Sequence, residues 1–162
     1  MRKQFISVAV TLLLVTSFAN AQSDKSTVHL INPSEVAKPN GYSQAAIINL
    51  GTGKMIILSG QVPLNVKGEL VGKDNFEQQA EQVFVNIQKI IEASGGKMSD
   101  IVKLSYFILD TKNLKTLRAV RDKYVDVQHP PASTLVQVSR LFRDDVLLEI
   151  EATAVISGNK IQ

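Results

Sequence analysis

The stretch Leu147-Leu148-Glu149-Ile150-Glu151-Ala152-Thr153-Ala154-Val155 constrains the fold more than any other part of the chain. A period of two puts Leu148, Ile150, Ala152 and Ala154 on one side and Leu147, Glu149, Glu151, Thr153 and Val155 on the other. That is the pattern of a β-strand with one clean core face. The second side is mixed, with two carboxylates framed by Leu147 and Val155. On one reading both glutamates stand in water on an open sheet face. On the other, the face meets something, and a carboxylate held near an apolar wall has its pKa raised and becomes a general acid or base.

The rest of the chain supplies the partners of that strand. Val28 to Ile31 reads as a short first strand ended by Asn32-Pro33, since proline cannot donate to a ladder. Pro39-Asn40-Gly41 is turn chemistry, followed by Tyr42-Ser43-Gln44-Ala45 and a strand over Ala46 to Leu50. Gly51-Thr52-Gly53-Lys54 predicts a hairpin turn into the strand Met55 to Gln61. Within its last residues, Ser59-Gly60-Gln61, the glycine marks either a bulge or a place where another backbone or a ligand comes close.

Asp74 and Glu77 resemble a capping pair at a helix start. Phe76, Ala80, Val83, Phe84, Ile87, Ile90 and Ile91 then recur at helical spacing until Ser94-Gly95-Gly96 stops the helix. Ile101 to Leu109 predicts a central strand, and Leu114, Leu117, Val120 and Tyr124, with Val125 at the margin, predict a second helix. Arg118, Arg121, Asp122 and Lys123 read as its solvated face. His129-Pro130-Pro131 ends it, and Ala132 to Val138 forms a strand that a turn around Arg143-Asp144-Asp145 returns into the Leu147 strand as an antiparallel hairpin. The order β, β, β, α, β, α, β, β describes an α+β sandwich with two helices on one face of the sheet. The opposite face still carries Leu147, Val155 and Leu135, so self-association is expected to cover it.

Arg2 and Lys3, the apolar run Phe5 to Phe18, and Ala19-Asn20-Ala21 together have the form of a signal peptide over residues 1–21. Polar Gln22-Ser23-Asp24-Lys25 follows, so no membrane anchor is expected to persist after cleavage. Residues 22–162 are then one domain of 141 residues, enough for a single core. The chain has 18 basic and 15 acidic residues, and removing Arg2 and Lys3 leaves 16 against 15. No basic stripe stands out, which argues against nucleic acid as a partner. There is no cysteine, hence no disulfide and no thiol chemistry. His29 and His129 stand alone, without ligand spacing, and no metal is expected. Export to a periplasm, or secretion, is the expected location.

Five blocks, Gly41-Tyr42-Ser43-Gln44-Ala45, Ser59-Gly60-Gln61-Val62-Pro63, Gln79 to Gly95 with Asn86 inside it, Pro131-Ala132-Ser133-Thr134 and Glu149-Ile150-Glu151-Ala152, resemble in order and spacing the Rid (YjgF) family of reactive-intermediate deaminases. The resemblance covers essentially the whole chain after the leader. It implies a chorismate-mutase-like subunit with a mixed sheet, assembly as a homotrimer with clefts between subunits, and no metal or organic cofactor. RidA-type members hydrolyse enamine and imine intermediates to a 2-keto acid and ammonia. By position, Glu149 matches the glutamate that handles the proton and the attacking water, Gly60 the glycine whose N–H faces the ligand, and Tyr42 the cleft tyrosine. Ser59 stands beside Gly60 in the same block as an expected substrate contact.

One position departs from the family's Pro-Ala-Arg-Ser, whose arginine clamps the substrate carboxylate: Ser133 stands in its place. A guanidinium gives a bidentate charged clamp and a hydroxyl one neutral hydrogen bond. The difference is about 1.5–3 kcal/mol, roughly ten- to a hundredfold in binding. Arg140 and Arg143 are not obvious replacements by position. Three functions are therefore open: an imine or enamine deaminase of altered substrate range that uses Glu149, a trimer that binds a small metabolite without turnover, and a chaperone-like trimeric surface.

Overall fold

The strand predicted from the two-residue period is the longest in the molecule and lies inside its sheet. The structure is a computed structural model and describes residues 27–158; the expected leader lies outside the described residues. In chain order the elements are β1 (Val28–Ile31), β2 (Ala45–Asn49), β3 (Gly53–Gln61), α1 (Phe76–Ala93), β4 (Ile101–Ile108), α2 (Leu114–Arg121), β5 (Ala132–Gln137) and β6 (Leu148–Ser157). Single 3-10 turns at Met98–Asp100 and Thr111–Asn113 precede β4 and α2. The strands form one mixed sheet in the order β1-β2-β3-β6-β4-β5. All neighbours are antiparallel except β4 and β5, which run parallel.

The expected hairpin between β5 and β6 does not form. β6 inserts between β3 and β4, while β5 pairs with the outer side of β4. Burial explains the exchange. Every second residue of β6 from Leu148 to Ala154 is buried, so it gains from a central place. β5 has only Leu135 half-buried and suits an edge. With α2 crossing between β4 and β5, the parallel pairing is a βαβ unit.

Two helix limits also shift. Asp74 adopts φ +57, so it cannot cap in the extended conformation. Asn75 caps instead, its side chain accepting from the Gln78 N–H at 3.0 Å. α2 ends at Arg121, and Lys123 and Tyr124 donate three residues back to Val120 and Arg121, a tightened last turn. Tyr124 and Val125 still pack on the core, and the Tyr124 ring stacks on Phe84 at a centroid distance of 5.0 Å.

The core lies between the helices and one sheet face: Ile56 and Leu58 of β3, Leu104, Tyr106 and Ile108 of β4, and the even-numbered side of β6 meet Val83, Phe84, Ile87 and Ile91 of α1. The other face has no such cover among the described residues. There Ile57, Val136 and Val155 remain exposed, and Leu30 at the sheet edge is 67% exposed. Leu135, expected on this open face, is paired with Tyr106 and packs on the helix side.

Candidate active site around Glu149

On β3 the pairing register with β6 shifts between Leu58 and Gln61, leaving Ser59 and Gly60 without Cα partners. This is the bulge that the glycine suggested. It is also a close approach, because the Glu149 side chain fills the space a side chain at residue 60 would take. A Cβ built on Gly60 would stand 1.8 Å from Glu149 Oε1 and 2.6 Å from its Cδ. Only glycine leaves room for the carboxylate there.

Glu149 is half-buried on the open-face side of β6, across from Phe107 of β4. Burial raises its pKa above the usual carboxylate value, and the negative charge of Glu151 pushes in the same direction. Of the two readings of this mixed strand face, the structure supports different ones for its two glutamates. Glu151 is exposed, whereas Glu149 is held in a cleft of about 580 Å³ with Tyr42, Ser59, Gly60, Lys38 and Phe142.

The loop bearing Tyr42 is fixed to the bulge by buried amides. Gln61 Nε2 donates to Gln44 Oε1 at 2.8 Å, and Gln44 Nε2 donates to the Ala37 carbonyl at 2.7 Å. The Gln44 N–H donates to Asn32 Oδ1, and the Ser59 hydroxyl donates to the Ser43 carbonyl at 2.6 Å. Ser59 therefore lines the cleft with its proton already engaged, which leaves the oxygen as an acceptor. Gly41, at φ +80, supplies the left-handed turn just before Tyr42.

Helix α1 holds the same site from behind. Asn86 Nδ2 donates to the Val62 and Leu64 carbonyls just after the bulge. Gln79 accepts from the Leu147 N–H at 2.8 Å and donates to the Asp145 carbonyl, fixing the entry to β6 two residues before Glu149. Both amides are buried on the apolar stripe of the helix. Two amides interrupting a hydrophobic stripe are a signal readable in the sequence, since buried amides must find partners. Lys38 and Phe142 gave no such signal, because only the folding of two loops brings them to the cleft.

Ser133 is not brought to Glu149 within one chain. It pairs with Leu104 on the helix-side face, while Glu149 pairs with Phe107 on the open face. The intervening β4 also puts them about 10 Å apart across the sheet. Ser133 opens instead on a smaller pocket between β5 and α2. Arg140 and Arg143 are engaged by Asp144 and Asp145 of their own turn. Among the described residues no group of three or more histidine, aspartate or glutamate side chains is placed to hold a metal ion.

Two helices behind a six-stranded mixed sheet, with one raised carboxylate set over a glycine bulge, define a small α+β domain equipped for proton transfer on a bound ligand. The chain belongs to the Rid (YjgF) family. The family model described as Endoribonuclease L-PSP matches residues 33–156. Over 105 residues the chain is 41% identical to 2-iminobutanoate/2-iminopropanoate deaminase of Escherichia coli K12, spanning 64% of this chain and 80% of that one. The crystal structure of RidA from an Antarctic Psychrobacter superposes with a TM-score of 0.69 at 32% identity, covering 79% of this chain and 99% of that one. E. coli TdcF with bound serine gives a TM-score of 0.67 at 32% identity, covering 80% of this chain and 99% of that one.

Proposed function

We propose that the protein is an exported imine and enamine deaminase with a substrate range altered at Ser133, and that Glu149 is its acid–base. The observation that carries this is the Glu149 carboxylate, raised by burial and seated over Gly60 in an open cleft. An iminium carbon is already electrophilic, so hydrolysis needs a placed water and one group that takes and returns a proton. Glu149 takes a proton from water as the oxygen bonds to carbon and the C=N electron pair moves to nitrogen. The resulting carbinolamine receives that proton on nitrogen, its hydroxyl proton leaves as the carbonyl forms, and ammonia departs as the C–N bond breaks. A carboxyl raised toward neutrality serves both halves better than one at the ordinary value.

Similarity to the E. coli deaminase and to TdcF with bound serine supports a small ligand derived from an amino acid. The open sheet face supports a homotrimer. Tyr42 and Ser59 line both the Glu149 cleft and the hollow over Leu30, Ile57 and Glu151, so a second copy covering that face would also wall the cleft. Export rests on the form of residues 1–21, and the N-terminal residue of the protein recovered from a periplasmic or culture fraction is expected to be Gln22.

The test is ammonia release from freshly generated imines with and without a carboxylate, with RNA cleavage as a control activity. Turnover that disappears in Glu149→Gln supports the proposal. Saturable binding with no turnover on any imine would instead make the protein a metabolite-binding trimer.

A further inference from the structure

The pocket between α2 and β5 has no part in the chemistry assigned to Glu149, yet its lining is built for an anion. It holds about 210 Å³ and is bounded by Tyr106, Arg118, Arg121 and Ser133, with leucines of α2 and β5 as its apolar walls. Arg118 and Arg121 lie three residues apart on α2 and so project to the same side. The Arg121 Nε and Nη2 donate to Asp122. Arg118 makes no ion pair or side-chain hydrogen bond among the described residues.

Tyr106 adds an independent indication. It is 3% exposed, and its buried hydroxyl has no hydrogen-bond partner. Burial pushes that hydroxyl up to about 12, with Arg121 drawing it down and Asp122 pushing it up. At neutral pH it is therefore an O–H donor. Buried donors in native proteins are nearly always satisfied, and this pocket gathers a tyrosine hydroxyl, a serine hydroxyl and two guanidinium groups with Asp122 as their nearest carboxylate. What they lack is an acceptor, and a ligand carboxylate supplies two oxygens.

We propose that Arg118, assisted by Arg121, Ser133 and Tyr106, holds the carboxylate of a small 2-imino or 2-keto acid in this pocket. The guanidinium would then come from helix α2 instead of from the strand position occupied by Ser133. Serine is what leaves the room, because an arginine at 133 would compete with Arg118 and Arg121 for one cavity. The proposal rests on the deaminase reading and deepens it: the altered range lies in where the acid is held, with the apolar walls favouring a short aliphatic chain. Arg118 is a specificity-determining residue on this account, and Glu149 keeps the chemistry.

Calorimetric titration of the purified protein with 2-oxobutanoate tests it, with 2-butanone as the carboxylate-free counterpart. Selective binding of the acid is expected, weakened about tenfold or more in Arg118→Gln and restored in the double variant Arg118→Gln, Ser133→Arg. Circular dichroism checks that each variant is folded, and Arg118→Lys, which keeps the charge, is expected to fall between the two. Equal affinity in the wild type and in Arg118→Gln, no binding of 2-oxobutanoate by the wild type, or a loss confined to Lys38→Met would overturn the proposal. Turnover of carboxylate-free imines by the wild type and by Glu149→Gln reports separately on the deaminase reading. Arginine-dependent binding without turnover would sink that reading and leave this pocket standing.

Discussion

The two faces of β6 share one backbone and meet opposite requirements. Toward the helices it presents Leu148, Ile150, Ala152 and Ala154, none more than 3% exposed. Toward the open side it presents Glu149, Glu151, Thr153 and Val155. Burial helps the first set, since apolar groups gain about 25 cal/mol per Å² removed from water. For Glu149 partial burial disfavours the charged form, and the result is a carboxyl poised for proton transfer. What is buried, and not how deeply, separates the supporting face from the reactive one.

The comparison is broken most severely at Glu149. Glu149→Gln keeps the shape and removes the proton acceptor, and imine turnover is expected to fall by about 10²–10⁴-fold with no loss of thermal stability. Gly60→Ala should lower turnover too, because the new methyl displaces the carboxylate it would meet. On the helix face the consequences reverse. Ile150→Ala should destabilise the fold by about 2–5 kcal/mol in denaturant titration, with turnover per folded molecule largely kept.

Gln61→Leu sits between the two regimes. It leaves Gln44 Oε1 without its donor in a buried pair, an expected cost of about 1–3 kcal/mol in stability. It also loosens the Tyr42 loop, so KM should rise more than kcat falls. A smaller effect follows from pH. The native Glu149 carboxyl is raised above 4.5, so the folded protein keeps a proton that the unfolded chain releases. The stability this contributes is full below 4.5 and is lost as pH rises through the raised native value. Melting temperatures across that window should show the slope in the wild type and not in Glu149→Gln.

The smallest effect on the fold is expected on the open face. Ile57, 44% exposed, changed to Asp should alter monomer stability by only about 0.5 kcal/mol. Light scattering is nevertheless expected to show dissociation to a lower mass, since the charge would be buried at the proposed contact. An unchanged mass would place the self-association surface elsewhere.

Much of this was legible along the chain. The two-residue period of β6, the helical stripe of α1, the turn at Pro39-Asn40-Gly41 and the glycine of Ser59-Gly60-Gln61 are local patterns, and each appears where the pattern places it. The predicted hairpin of β5 and β6 failed because strand order is a contest for central positions, decided by total burial and not by adjacency in sequence. Arg118 and Arg121 read as a solvated helix face for a related reason. A helical wheel shows which side of a helix is polar, but not that Ser133 and a buried Tyr106 hydroxyl lie against it.

The sequence by itself determined the elements, the α+β class, the core face of each strand and the residue types able to move a proton, because these depend on spacing along one segment. Only the tertiary structure decided that Glu149 stands over Gly60, that Glu151 does not share its burial, and that Ser133 faces away from both toward two arginines. Proximity across a sheet and desolvation of a charge arise from segments far apart in the chain. No local pattern encodes them.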